Sequence, residues 1–222
     1  MSNSNSDGGA ENQWEDRGDV AWNEFDWERY MREQDEVIHR YLRFYEACSA
    51  DPERIDTVAE KMEWGTEVWE DDDDADDSDD DESDDPDDVY TLHKNPVYIS
   101  TKAIYLSLSR SWCALAADSN RVPQPLALAL LGSMHRGEEQ AAQAIHALDF
   151  GDYAMAVSLF KRAMSVLNSS LALLNADTTA RLPHVQAWRE QSLPRFFDLR
   201  EVWLRVIAEC RDELKRPTDE EN

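Results

Sequence analysis

Apolar residues recur at intervals of three and four along most of the chain, and strand-like alternation is nearly absent. This spacing places them on one face of a helix, so the sequence predicts an all-α protein. We expect an antiparallel bundle of about six helices, each about 15 to 28 residues long. The predicted boundaries are marked by these signals: Asp51-Pro52, Asn95-Pro96, Asp118-Ser119-Asn120, Pro123, Gly151-Asp152 and Pro183. Asp51 is expected to cap the second helix, and Pro194 is expected to split or kink the last one.

One segment is too polar to join such a core. Residues 70–88 read EDDDDADDSDDDESDDPDD, and 15 of these 19 positions are Asp or Glu. Because such a run has no apolar surface to bury, we expect it to stay solvated. The sequence therefore predicts a disordered tail at 1–22, a helical hairpin at 23–69, a disordered acidic linker at 70–92, a four-helix bundle core at 93–216 that packs with the hairpin, and a tail at 217–222.

Charge constrains the partners that the chain can bind. It carries 48 Asp and Glu against 22 Lys and Arg, a formal net charge of −26. We therefore expect a protein partner with a basic surface, no direct contact with nucleic acid and no membrane contact. Three scattered cysteines and a polar N-terminus without a signal segment favour a reduced, cytoplasmic protein. The sequence leaves the oligomeric state open.

One helical segment carries a resemblance to known families. Residues 141–163 read AAQAIHALDFGDYAMAVSLFKRA. The turn Gly151-Asp152-Tyr153 and the small-aromatic-small spacing of Ala156, Phe160 and Ala163 resemble a tetratricopeptide repeat. The segment, about 141–165, is also similar to the hairpin of microtubule-interacting-and-transport domains, which are three-helix bundles. No copy recurs about 34 residues away, so the resemblance implies a single hairpin that serves protein–protein interaction rather than catalysis.

The eight tryptophans include two contrasting groups. Three are predicted to be core residues: Trp112, Trp188 and Trp203. Others lie in WEDRGDVAWNEFDW at 14–27, an acidic-aromatic composition typical of a short segment that docks on a basic, apolar groove. A segment that caps its own bundle would have the same composition, so both interpretations stay open. The predicted partner-binding residues are Trp14, Trp22, Trp27, Tyr153 and Phe160.

Candidate chemistry is sparse in this sequence. It has no GxSxG, HExxH, phosphate-binding glycine loop or Rossmann fingerprint, so we predict a protein that is not an enzyme and has no cofactor. Glu36 and His39 share one helix face, as in di-iron bundles, although such sites need a second motif of this kind. A metal-binding, ferritin-like bundle is therefore one alternative, with Glu36, His39 and Glu139 as ligands and His135 or His146 nearby.

The sequence favours a non-enzymatic helical adaptor that binds another protein through acidic electrostatic contacts. A different alternative is an acidic mimic of nucleic acid that occupies the site of a basic protein. A further hypothesis concerns the chain itself. The acidic run is complementary in charge to arginines of the last helix and could fold back on them: Arg189, Arg195, Arg200, Arg205 and Arg211.

Overall fold

The structure is a computed structural model that describes residues 22–64 and 92–216. Within these ranges 81% of the residues are helical and no strand is present, which confirms the all-α prediction. None of the described helices is both long and apolar enough to cross a membrane. The acidic run at 70–88 and the tails at 1–21 and 217–222 lie outside the described residues. The helices are α1 (Glu24–Ala47), α2 (Arg54–Lys61), α3 (Pro96–Ala116), α4 (Gln124–Asp149), α5 (Tyr153–Asn175) and α6 (Pro183–Glu213), with a 3-10 helix at Leu92–Lys94.

The chain divides into two compact units, Met1–Glu36 and Val37–Asn222. In the first unit the structure describes the segment from Trp22 through the first turns of α1. The second unit holds the rest of α1, together with α2 and the bundle α3–α6. In that bundle each helix packs against the next, and α3 also packs against α6. Tyr41, Tyr45 and Val58 are buried in the same hydrophobic core as the bundle helices.

Two helix starts follow directly from local sequence signals. The side chain of Asn95 accepts a hydrogen bond from Val97 N at 2.9 Å, and Pro96 is the first residue of α3. The side chain of Asp152 caps α5 in the same way, accepting from Met155 N at 2.9 Å. Gly151 precedes it with φ of +74°, a left-handed conformation that glycine adopts without steric strain. The turns predicted at these positions are therefore confirmed.

The second helix differs from the prediction at both of its ends. Asp51 does not cap it; its carboxylate accepts from Glu53 N at 2.9 Å and from the Thr57 hydroxyl at 2.7 Å. The hydrogen bond from Glu53 N to the Asp51 side chain forms a turn, so α2 begins only at Arg54. It ends at Lys61 because Glu63 is left-handed, with φ of 62°. At 8 residues, α2 is much shorter than the sequence predicted.

Pro194 does not split the last helix, which was one of the two outcomes predicted for it. α6 runs for 31 residues with Pro194 inside it, longer than any helix expected from the sequence. A proline in a helix frees the carbonyl group four residues earlier, here that of Glu190. Glu190 and Pro194 are both exposed, so water can satisfy that carbonyl group. Trp188 and Phe196 are buried on either side and hold both halves of α6 against the core.

Tryptophans anchor the interior of the bundle. Trp112 and Trp203 have no exposed surface and Trp188 is nearly buried, which confirms their predicted core positions. Each indole N–H is satisfied: that of Trp203 by Thr101 Oγ1 at 3.2 Å and that of Trp188 by Ser111 Oγ at 3.0 Å. The third, on Trp112, donates to a backbone carbonyl of α4 at 3.1 Å. The core therefore buries these large side chains without leaving a donor unpaired.

Candidate interaction surface

The first turns of α1 are fixed by a reciprocal cap. The Asn23 side chain accepts from Phe25 N at 2.8 Å and from Asp26 N at 3.2 Å. The Asp26 carboxylate in turn accepts from Asn23 N at 3.2 Å, as the acidic member of a capping box does. Glu24 and Asp26 also place negative charge at the positive end of the helix dipole. The residues that follow are therefore presented on an ordered helix.

An aromatic cluster orients this helix start further. The ring centroid of Trp22 lies 4.9 Å from that of Trp27 and 5.3 Å from that of Tyr30. Trp27 and Tyr30 meet edge to face at 6.1 Å. Such edge contacts are a favourable geometry for aromatic rings. The indole of Trp27 is thus held in position although 46% of its surface remains exposed.

Three large apolar side chains of this segment face solvent. Phe25 is 75% exposed, Trp27 46% and Met31 42%. Single exposed apolar residues are common, but three within seven positions form an apolar surface available for contact. We call Trp22–Met31 the aromatic entry segment.

Carboxylates surround this apolar surface. Positions 24–36 hold six Asp or Glu and two Arg. Arg29 pairs with Asp26 at 3.4 Å and Arg32 with Glu28 at 2.8 Å, so both arginines are already neutralised within the helix. The other four carboxylates at positions 24–36 form no ion pair with a described residue. The entry segment and the five residues that follow it therefore combine exposed aromatic surface with an unbalanced negative charge.

The structure separates the five residues that the sequence predicted for partner binding. Trp22 and Trp27 belong to the entry segment, whereas Trp14 lies outside the described residues. Tyr153 is half-buried at the start of α5. Phe160 has no exposed surface and packs 6.4 Å from Trp203, measured between ring centroids. Phe160 is therefore a core residue and not a partner contact, which corrects the prediction.

The metal-site alternative receives no support from the geometry. In the ranges 22–64 and 92–216, no three His, Cys, Asp or Glu side chains gather as a metal ion would require. Glu36, His39 and Glu139 are thus not assembled into such a group. Nε2 of His39 instead lies 3.0 Å from a guanidinium nitrogen of Arg110, which donates to it. The two remaining candidates are exposed side chains of α4: His135 and His146.

Sequence patterns did not reveal a nearly buried polar cluster between α2 and α6. The Asp198 carboxylate accepts from the Tyr45 hydroxyl and from Nε of Arg54, the latter at 2.5 Å. Arg54 also donates to the carbonyl of Ser49 at 3.2 Å, and its guanidinium lies 5.1 Å from the Tyr45 ring centroid. Burial, followed by the Asp198 charge, raises the pKa of Tyr45. Asp198 lies 153 positions from Tyr45 and 144 from Arg54, so no local signal could identify its partners.

A second ion pair joins the same two helices at the surface. Both terminal nitrogens of Arg205, on α6, donate hydrogen bonds to the Asp56 carboxylate of α2, and its Nε donates one to Glu201 at 3.1 Å. The hydrogen bond to Arg205 lowers the pKa of Asp56. Arg189, elsewhere on α6, donates to the side-chain oxygen of Asn175 at 2.8 Å. The hypothesis that the acidic run folds back on this helix stays a prediction, because that run lies outside the described residues.

Net charge is concentrated away from the described helices. The undescribed residues contain half of the 48 acidic residues but only one of the 22 basic ones, so the described residues carry 24 acids and 21 bases. No protein-family model matches the chain, and comparisons with curated proteins and with solved structures also give no match. The chemistry of the surface itself must therefore indicate what it binds.

Proposed function

We propose that the protein is a non-enzymatic helical adaptor whose aromatic entry segment docks on a basic, apolar surface of another protein. The observation that carries this proposal is the exposure of Phe25, Trp27 and Met31 within positions 24–36, which hold six carboxylates and two arginines. Aromatic side chains are enriched among the residues that dominate binding energy. Unpaired carboxylates around them favour a cationic partner.

The local structure supports binding in two ways. The Asn23–Asp26 cap and the Trp22–Trp27–Tyr30 cluster order the segment before a partner arrives, which reduces the entropy lost on binding. Burying an exposed Phe or Trp side chain contributes on the order of 1.5–3 kcal/mol. The surrounding carboxylates accelerate encounter with a basic surface and reject acidic ones.

The described residues include three free cysteines, which accords with a protein that works in the reducing cytoplasm.

Site-specific photo-crosslinking tests the proposal in the cells that make the protein. A photoreactive amino acid is placed at Phe25, and a matched control is placed at Leu128, an apolar residue of α4 that is also strongly exposed. We expect position 25 to capture a protein with a basic surface and position 128 to capture none of it. The captured protein must then bind the purified full chain.

The same captured protein at both positions would show non-specific apolar contact and would refute the proposal. So would a capture at position 25 that survives the replacement of the six carboxylates at 24–36 by their amides, because the partner would then not be selected by charge.

A further inference from the structure

The outer side of α6 carries a second apolar surface, on which two arginines lie. The core face of this helix is filled by residues such as Trp188, Phe196 and Trp203. On the other side, Phe197 is 52% exposed and Leu204 39%. A single helix thus presents two apolar faces, of which one packs in the core and the other faces solvent.

The positions on this side of α6 are spaced as in a helix–helix seam, and all of those named below are exposed except Leu193, which is half-buried. Leu193, Phe197, Arg200, Leu204 and Arg211 follow one another at intervals of four, three, four and seven residues. Intervals of three and four keep side chains on one stripe that a second helix can follow. From Leu193 to Arg211 the stripe is about 27 Å long, since each residue adds about 1.5 Å. We call these five residues the outer stripe.

The charges of the outer stripe are unpaired. Arg200 and Arg211 are exposed and form no ion pair or hydrogen bond with a described residue. Arg205, on the neighbouring face, is by contrast occupied by Asp56 and Glu201. The stripe itself contains no carboxylate. The bundle around it is also mildly basic, because residues 92–216 hold 15 Lys and Arg against 12 Asp and Glu.

The geometry points to the outer stripe as a docking site for an acidic amphipathic helix of another protein. The apolar side of that helix would cover Phe197 and Leu204, while its carboxylates would pair with Arg200 and Arg211. A guanidinium and a carboxylate form charge-assisted hydrogen bonds, which are stronger than neutral ones.

Pairing of two identical stripes from two copies of the chain fits this surface less well. If two identical stripes pair in antiparallel orientation about their centre, Arg200 faces Leu204 and Arg211 faces Leu193. Neither arginine then meets a carboxylate in the seam.

A designed helical peptide tests the inference on the full chain. It carries a leucine seam flanked by glutamates, and a second peptide replaces every glutamate by glutamine. Binding is measured by calorimetry against the native chain and the variants F197S/L204S and R200E/R211E. Their matched control is R136E/R162E, two exposed arginines of α4 and α5 that form no ion pair with a described residue. All four changes on α6 are at exposed positions, so we expect every variant to fold, as circular dichroism verifies.

We expect the glutamate peptide to bind the native chain and to bind each α6 variant at least about tenfold more weakly, the size of a substantial interface contact. R136E/R162E should bind it as the native chain does, and the glutamine peptide should bind less tightly. Absence of binding at every concentration reached would overturn the inference. Equal weakening by R136E/R162E would do so too, because it would show general attraction to positive charge.

Three results would assign the stripe to another occupant and also overturn the inference. The first is a concentration-dependent dimer in sedimentation that F197S/L204S abolishes. The second is tighter peptide binding after deletion of residues 70–88, which would mean that the acidic run of the same chain competes for the stripe. The third is displacement of the peptide by anionic lipid vesicles. Because this surface does not involve the entry segment, the inference and the proposed function fail independently.

Discussion

Replacing Asp198 by Asn isolates the contribution of the buried ion pair between α2 and α6. In the native chain the side chains of Arg54 and Asp198 are only 10% and 14% exposed. The amide still fills the site and accepts a hydrogen bond, but it no longer neutralises the guanidinium of Arg54. Removing one partner of a buried pair is typically worth 3–5 kcal/mol, and the residual exposure here places the expected loss near the lower end, about 3 kcal/mol.

The matched control lies on the same two helices. In the pair of Asp56 with Arg205, the carboxylate is 53% and the guanidinium 45% exposed, so D56N should lower the free energy of unfolding by at most about 1 kcal/mol. Urea unfolding followed by circular dichroism measures both losses on the full chain. Equal losses for D198N and D56N would refute the idea that burial makes the Asp198 pair important. Replacing all three members of the cluster by apolar residues, as Y45F/R54M/D198L, should restore most of the loss, because the Tyr45 hydroxyl would otherwise be left without its acceptor.

Two contrasts test packing and buried hydroxyl groups. A methyl group added at Gly137 would collide with the buried hydroxyl of Tyr105, so G137A should lower the free energy of unfolding by about 2 kcal/mol. A methyl group added at Gly132 would meet nothing closer than 3.6 Å, so G132A should raise the free energy of unfolding by up to about 1 kcal/mol. Equal stabilities of G137A and G132A in unfolding curves would contradict this packing argument. Y45F removes a hydrogen bond to a carboxylate and should lower the free energy of unfolding by about 1.5–3 kcal/mol. Y41F should lower it less, because the Tyr41 hydroxyl has no partner among the described residues. A larger loss for Y41F than for Y45F would contradict this. Burial raises the pKa of Tyr41, Tyr45 and Tyr105 in the folded state. Above pH about 10, where a tyrosine of the unfolded chain ionises, each should therefore lower the free energy of unfolding by about 1.4 kcal/mol per pH unit, and below that pH the effect is absent. Unfolding curves at alkaline pH measure this, and each Phe variant should lose stability with pH less steeply than the native chain.

The helical organisation could be predicted because it depends on signals within a few residues. Asn95-Pro96 and Gly151-Asp152 fix the starts of α3 and α5 through hydrogen bonds two or three positions away. The start of α2 was less predictable, since the side chain of Asp51 can accept hydrogen bonds either as a helix cap or within a turn. In the structure it accepts from Glu53 N and forms the turn. The left-handed Glu63 that ends this helix is not a residue type that marks such a position.

The candidate sites depend on relations that a single sequence does not show. The entry segment was identified by composition, but the exposure of Phe25 and Met31 required the structure. Phe160 matched a repeat-like spacing, and that spacing describes close packing as well as it describes a groove. The outer stripe of α6 is hard to recognise in the sequence because a stronger apolar stripe, the one that packs in the core, runs along the same helix. A helix with two apolar faces is recognised only once one face is known to be buried.

The most direct test of the central claim is the affinity of the full chain for the protein captured at position 25, compared with that of F25S/W27S. Calorimetry at several salt concentrations gives this affinity, with L128S as the control for an exposed apolar change elsewhere. We predict that F25S/W27S binds at least about tenfold more weakly, that L128S binds normally, and that added salt weakens the native complex. If F25S/W27S bound as tightly as the native chain, the aromatic entry segment would not be the docking surface.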